Sequence, residues 1–276
     1  MPNKVGFLGP RGTFTEEALL SVMKVDLKDL IPFPTEQEVI RAVDKGKVTK
    51  GIVPIENSIE GSVNSTLDSL TFESDCLIEK EIIISTKHNL IGRKGTDLKN
   101  VALVVSHPQA TAQCRRYLSQ KLPNAAVQAA NSTAEAVKKV AEGSSNAVAI
   151  GTELAAQIYN LEILESDIED FKDNKTRFVL VGKAAAPRSG NDKTSLVCFI
   201  HEDRPGSLLQ ILQEFSYRYI NLSKIQSRPT KKGLGDYCFW IDVEGHAQDE
   251  TVASVIKCLK CKIRQVKVLG SYPRAD

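Results

Sequence analysis

Between residues 4 and 182, short apolar runs alternate with stretches of helical period, and no other feature of the chain narrows its possible folds so far. Residues 4–9 (KVGFLG) are too short and too apolar for a surface helix and read as a strand. Thr13-x-x-Glu16 has the spacing of a capping box, in which hydroxyl and carboxylate satisfy free amides, so a helix starts near Thr13. Residues 51–55 are a second apolar strand and 62–72 the helix after it. The pattern restarts at Ile82-Ile83-Ile84 and again over 101–106. Two more boxes follow. Ser106-x-x-Gln109 carries Pro108 in the first turn, where proline is tolerated, and Ser132-x-x-Glu135 opens a helix that stops at Gly143. A strand at 147–151, a short helix from Thr152 and a strand at 177–182 complete the series. Strands joined by helices imply an α/β architecture with mainly parallel sheets. The restart near residue 82 implies two lobes with a cleft between, the last strand returning to the first lobe.

Beyond a linker at 185–193, which holds Pro187 and Gly190, the pattern changes. Strand 194–200, helix 206–217, strand 220–226, turn 231–235, strand 236–243, helix 248–259 and strand 263–269 spell β-α-β-β-α-β, the ferredoxin-like unit. The expected organisation is a cleft domain over 1–184, with lobe one at about 1–82 plus 166–184 and lobe two at about 83–165, followed by a small domain over 194–276.

Composition removes several classes of function. Lys plus Arg number 36 against 34 Asp plus Glu, a net charge of +2 that lacks the basic excess of a general nucleic-acid binder. No apolar run approaches the length of a membrane span, and no secretory signal is visible, so a cytoplasmic location is expected. Of six cysteines, 76, 114, 198 and 238 sit in apolar stretches and read as small buried hydrophobes. Cys258-x-x-Cys261 lies late in a helical pattern with no second ligand pair, so metal or redox chemistry is not expected there. The four histidines lack metal spacing and a nucleophile partner.

Three polar breaks fall at element ends, where anions bind in such sheets. They are Gly9-Pro10-Arg11-Gly12-Thr13-Phe14, Pro54-Ile55-Glu56-Asn57-Ser58 and Asn174-Lys175-Thr176-Arg177-Phe178. In the last, a hydroxyl and a guanidinium stand side by side where a polar loop enters an apolar strand, a rigid donor pair for a small anion. In their order these motifs resemble the prephenate dehydratase family. The C-terminal part is similar to that family's ACT regulatory domain, through Asp203-Arg204-Pro205-Gly206-Ser207-Leu208 and Ser223 to Thr230. The resemblance covers essentially the whole chain. It implies a periplasmic-binding-protein-like, two-lobed catalytic domain followed by the ferredoxin-like ACT domain.

What the resemblance implies chemically is conversion of prephenate to phenylpyruvate with loss of carbon dioxide and water. The ring accepts the electrons freed by decarboxylation, so neither an organic cofactor nor a metal is implied. Departure of hydroxide needs a donor aimed at it. Thr176 is the expected donor, with Glu56 as a buried acid of raised pKa that relays a proton. Thr13, at a helix start, and Asn57, Ser58, Arg177 and Phe178 are the expected substrate residues. Arg177 offers a two-pronged carboxylate contact, against the commoner fate of a salt bridge at a strand edge. Ser106 reads as a cap.

In the ACT part, Gly206, Ser207, Leu208, Gln226, Ser227, Arg228 and Pro229 are the implied phenylalanine site, between the domains of two chains in a homodimer or homotetramer. Residues 221–227, on an adjacent strand, are expected to face the same space as Gly206. Two positions depart from the family pattern, Gln226 for a usual Glu and Ser207 for a usual Ala. The alternatives are arogenate dehydratase, which runs the same ring chemistry, and a two-lobed binding or sensor protein without turnover. A fused chorismate mutase is not expected, since no all-helical segment precedes residue 4.

Overall fold

A computed structural model describes residues 4–143, 146–202, 204–231, 233 and 236–275. Asp203 and part of the expected turn at 231–235 lie outside the described residues. Three sheets organise the chain. In the first, the order is Leu30–Phe33, Val5–Leu8, Lys50–Asn57, Lys175–Gly182, Leu77–Ser85, with the two-residue strand Gly61–Ser62 folded back on Lys50–Asn57. The strand Lys175–Gly182 therefore returns to the first sheet, as its sequence position implied. Its side chains from Thr176 to Gly182 are all buried, in keeping with a near-continuous apolar run in a central strand.

The second sheet runs Glu162–Glu165, Asn89–Gly92, Ala147–Gly151, Leu103–Ser106, Ala126–Ala129. Leu103–Ser106 is parallel to both neighbours. Asn89–Gly92, however, is antiparallel to both of its own. The expectation of mainly parallel sheets fails here for a topological reason. The chain enters this lobe along Asn89–Gly92 and leaves along its neighbour Glu162–Glu165, which runs back the other way, and Asn89–Gly92 is likewise antiparallel to Ala147–Gly151 on its other side. Two apolar clusters flank the sheet, one around Leu90, Val104, Val148 and Ile150 and one around Ile91, Val137, Val140 and Ala149. Each fully buried aliphatic side chain contributes roughly 1.5–3 kcal/mol.

The third sheet is antiparallel, ordered Leu222–Pro229, Tyr237–Glu244, Asp192–Phe199, Gln265–Pro273, with helices Ser207–Ser216 and Glu250–Lys262 packed on one face. This is the β-α-β-β-α-β unit read from the sequence. Tyr237–Glu244 stands between Leu222–Pro229 and Asp192–Phe199, so the expected placing of residues 221–227 on a strand adjacent to the one that leads to Gly206 does not hold. Cys76, Cys114, Cys198 and Cys238 are buried, as the apolar context of each implied.

The chain divides into two compact units. The first comprises the described residues up to Val39, Ile52–Val63 and Ile83–Phe178. The second comprises Ile40–Gly51, Asn64–Ile82 and the described residues from Val179 onward. Within the second unit the expected single helix at 62–72 is a short α-helix, Asn64–Asp68, that widens into the π-helical turn Ser69–Glu73. Lys267 Nζ donates to the carbonyls of Leu70, Thr71 and Ser74 at 2.8, 3.1 and 2.6 Å, satisfying acceptors that a widened turn leaves open. Among the described residues no helix is long and apolar enough to cross a membrane.

Candidate active site

The site is built from strand ends and helix starts of the first unit. Thr13 caps helix Phe14–Val22, its Oγ1 accepting from Glu16 N–H. The Glu16 carboxylate does not close the box on Thr13; it accepts instead from Gly12 N–H at 2.6 Å and Arg11 Nε at 2.5 Å. This fixes the turn Gly9 to Thr13. Gly12 sits at φ +87°, and a Cβ there would lie 2.9 Å from Ala155 Cα, so only glycine lets this turn approach the second lobe so closely. Thr152 Oγ1 donates to Gly12 O at 2.7 Å.

Above this turn lies a cavity of 460 Å³, lined by both lobes. Helix Phe14–Val22 brings Thr13, Phe14 and Thr15 to it, and helix Thr133–Glu142 brings Ser132 and Thr133. Two helix starts at one cavity favour a ligand with negative charge.

On the floor, Lys175–Gly182 alternates its side chains. Thr176 and Phe178 line the cavity, while Arg177 points to the other face of the strand. There its Nη1 lies 3.6 Å from Glu56 Oε2. Neither Arg177 nor Glu56 is among the cavity-lining residues, and the Glu56 side chain is 37% exposed rather than buried. For Arg177, between the lining residues Thr176 and Phe178, the physical reason is the two-residue period of a strand: a neighbour of an inward residue faces outward. The geometry thus pairs the two with each other and gives Glu56 no direct line to the ligand space.

Thr176 is tightly held. Its Oγ1 accepts from Asn57 Nδ2 at 2.8 Å and lies 2.7 Å from Thr86 Oγ1. Asn57 is itself spoken for on both ends of its amide. Nδ2 also donates to Asn174 Oδ1 at 2.7 Å and Lys175 O at 3.3 Å, and Oδ1 accepts from the N–H groups of Ile59 and Glu60, each at 3.0 Å. Ser58 is exposed and outside the lining; it accepts from Lys175 N–H at 2.9 Å and ties the loop to the strand. Ser106 is not a cap. It ends a strand and donates to Ile150 O, while His107 Nδ1 caps helix Pro108–Gln113.

Two side chains that carry no local motif, His88 and Gln113, complete the site together with Asn174 of the third polar break. His88 is 3% exposed and meets Phe14 edge-on at 5.6 Å. Its Nε2 lies 3.0 Å from Gln113 Oε1, an oxygen that also accepts from Asn174 Nδ2 at 3.0 Å. An amide oxygen only accepts, so His88 carries its proton on Nε2. Its Nδ1 is buried without a partner among the described residues. Burial pushes the His88 pKa down, with the Gln113 contact and the Glu169 charge opposing, which favours the neutral form of the ring. Sequence spacing offered no signal for His88 or Gln113, because 61 positions separate Gln113 from its partner Asn174.

The second unit contains a hollow of 430 Å³ lined by Arg204, Gly206, Ser207, Leu208, Leu209, Leu212 and Phe239. Gly206, at φ +90°, opens helix Ser207–Ser216. Gln226, Ser227, Arg228 and Pro229 do not line it. Arg228 Nη2 is 2.5 Å from Asp68 Oδ1 and its Nη1 donates to Asn64 Oδ1 at 2.6 Å, and Gln226 Nε2 reaches Asn64 at 3.4 Å.

Comparison with known proteins is consistent along the chain. Residues 5–186 match the family model described as prephenate dehydratase, and residues 194–258 match the ACT domain. A prephenate dehydratase of Methanocaldococcus jannaschii is 42% identical over 277 residues, covering 97% of each chain. A bifunctional chorismate mutase/prephenate dehydratase of Aquifex aeolicus is 42% identical, with 99% of this chain and 74% of that one covered. A solved structure of prephenate dehydratase from Arthrobacter aurescens, in complex with L-Phe, superposes with a TM-score of 0.90 at 38% identity, covering 99% of this chain and 90% of that one.

Proposed function

Because this chain belongs to the prephenate dehydratase family and carries an ACT domain, we propose that it converts prephenate to phenylpyruvate at the 460 Å³ cavity. The observation that carries the assignment to this cavity is Thr176, a buried hydroxyl on a rigid strand, anchored by Asn57 and open to the ligand space. In the reaction the bond from the ring to its carboxylate breaks and releases carbon dioxide. The electron pair enters the ring, and the carbon–oxygen bond at the far end breaks. The departing hydroxide takes up one proton from solvent and leaves as water. Thr176 donates a hydrogen bond to that oxygen as negative charge grows on it, which a preorganised donor does at little reorganisation cost. The substrate's two carboxylates suit the starts of helices Phe14–Val22 and Thr133–Glu142, and Phe178 and Phe14 flank the ring. Arg177 and Glu56 support the floor from its other face rather than touching substrate.

The chemistry belongs to residues 1–184 and regulation to 194–276, joined by 185–193. The relative with L-Phe bound supports phenylalanine as effector. In one chain Gly206 to Leu208 line the hollow while Gln226 to Pro229 lie on a strand two places away in the sheet. A homodimer or homotetramer, with the ligand held between the ACT domains of two chains, is the assembly that the family resemblance implies and the one proposed here. Six cysteines without disulfides suit a cytoplasmic enzyme.

Phenylpyruvate production by the purified chain from prephenate, with arogenate in parallel and Thr176→Ala as control, tests the reading. Turnover of prephenate that collapses in the control is expected. Turnover of arogenate alone reassigns the substrate, and turnover of neither leaves a binding protein.

A further inference from the structure

Two hydroxyls, Thr86 and Thr176, meet 2.7 Å apart in the buried wall of the cavity, and both line it. Thr86 is 7% exposed and Thr176 8%. Between them they hold two protons, and only one can lie on the line joining the oxygens. Among the described residues neither hydroxyl has another acceptor, so the second proton is directed into the cavity. The contact admits either hydroxyl as donor, and the two arrangements differ in which proton faces the ligand. Thr176 Oγ1 accepts from Asn57 Nδ2, and that amide cannot turn round, because its own oxygen is held by the N–H groups of Ile59 and Glu60. When Thr86 donates to Thr176, the Thr176 oxygen has both acceptor positions filled and only its proton left to offer. That proton then points at the ligand. Accepting two hydrogen bonds also polarises the Thr176 O–H and makes it a stronger donor.

We infer that Thr86 is a positioning residue: its hydroxyl donates to Thr176 and so aims the Thr176 proton at the departing oxygen of the substrate. Thr86 is well placed for a fixed role. It follows strand Leu77–Ser85, and its backbone N–H donates to Asn174 O at 2.8 Å, locking it beside the strand that carries Thr176. The inference rests on Thr176 being the donor to the leaving group, and the test separates the two.

Thr86→Val keeps the shape and the backbone contact and removes only the hydroxyl. Steady-state turnover of prephenate by the full chain is expected to show kcat lowered about 10- to 100-fold with KM changed less than about twofold, the mark of an interaction made in the transition state. Thr86→Ser, which restores the hydroxyl, is expected within about threefold of the parent kcat. In a Thr176→Ala background the same Val substitution should cost less than about twofold more, because its target is gone. A kcat unchanged in Thr86→Val while Thr176→Ala is inactive overturns the inference and leaves the dehydratase reading standing. So does a rise in KM alone, which would make Thr86 a ground-state contact. Full activity in Thr176→Ala removes the reading beneath both. Thr86→Ala carries the same expectation should the Val variant fail to fold.

Discussion

Asn57→Asp tests the site by reversing one hydrogen-bond polarity at constant shape. The Asn57 amide nitrogen faces three oxygens, Asn174 Oδ1, Lys175 O and Thr176 Oγ1, at 2.7, 3.3 and 2.8 Å. A carboxylate oxygen in its place meets two acceptors that have nothing to give and one hydroxyl that does. Two hydrogen bonds are lost at roughly 1 kcal/mol each, and two acceptors are left facing negative charge at roughly 1 kcal/mol apiece, so destabilisation of about 2–4 kcal/mol is expected. The remaining contact survives by inversion: Thr176 turns its proton toward the new carboxylate and away from the cavity. Activity should then fall about 100-fold or more, the scale seen when a preorganised donor is lost. Urea denaturation gives the first quantity and phenylpyruvate formation the second. A variant that is destabilised as stated yet retains kcat within about threefold would refute the role of Thr176 as donor.

Gly12→Ala places a Cβ 2.9 Å from Ala155 Cα at a φ of +87°, and should lower unfolding free energy by about 2 kcal/mol or more in the same denaturation assay. Arg228→Ala breaks a pair whose side chains are 12% and 16% exposed, with an expected loss of about 1–2 kcal/mol by thermal melting, since Lys231 still faces Asp68. Although burial opposes it, the hydrogen bonds and charges of Lys231 and Arg228 hold the Asp68 pKa below its ordinary value. Its share of stability is therefore present above the unfolded carboxylate pKa of about 3.9 and lost as pH falls through the folded one. For His88 the folded pKa is lowered by burial, so the unfolded chain takes up the proton first and stability declines as pH falls below about 6.5. Replacing His88 by Gln should flatten that part of a melting-temperature profile, and an unchanged slope would argue against a neutral buried ring.

Local chemistry determined a large part of this molecule. Strand and helix alternation, the caps at Thr13, Ser132 and Thr152, and the β-α-β-β-α-β order were legible because each depends on residues a few positions apart. The motifs around Thr13, Asn57 and Thr176 were legible as polar breaks at strand ends for the same reason. Only the tertiary structure decided which side of a strand each neighbour faces, which sets Thr176 toward the cavity and Arg177 toward Glu56. It also decided the antiparallel entry and exit strands of the second lobe, and the separation of Gly206 from Arg228 by an intervening strand. Thr86, His88 and Gln113 carry no local pattern at all. Their positions are set by hydrogen bonds that span 90 residues between Thr86 and Thr176 and 25 between His88 and Gln113, and an interaction of that range leaves no trace in spacing.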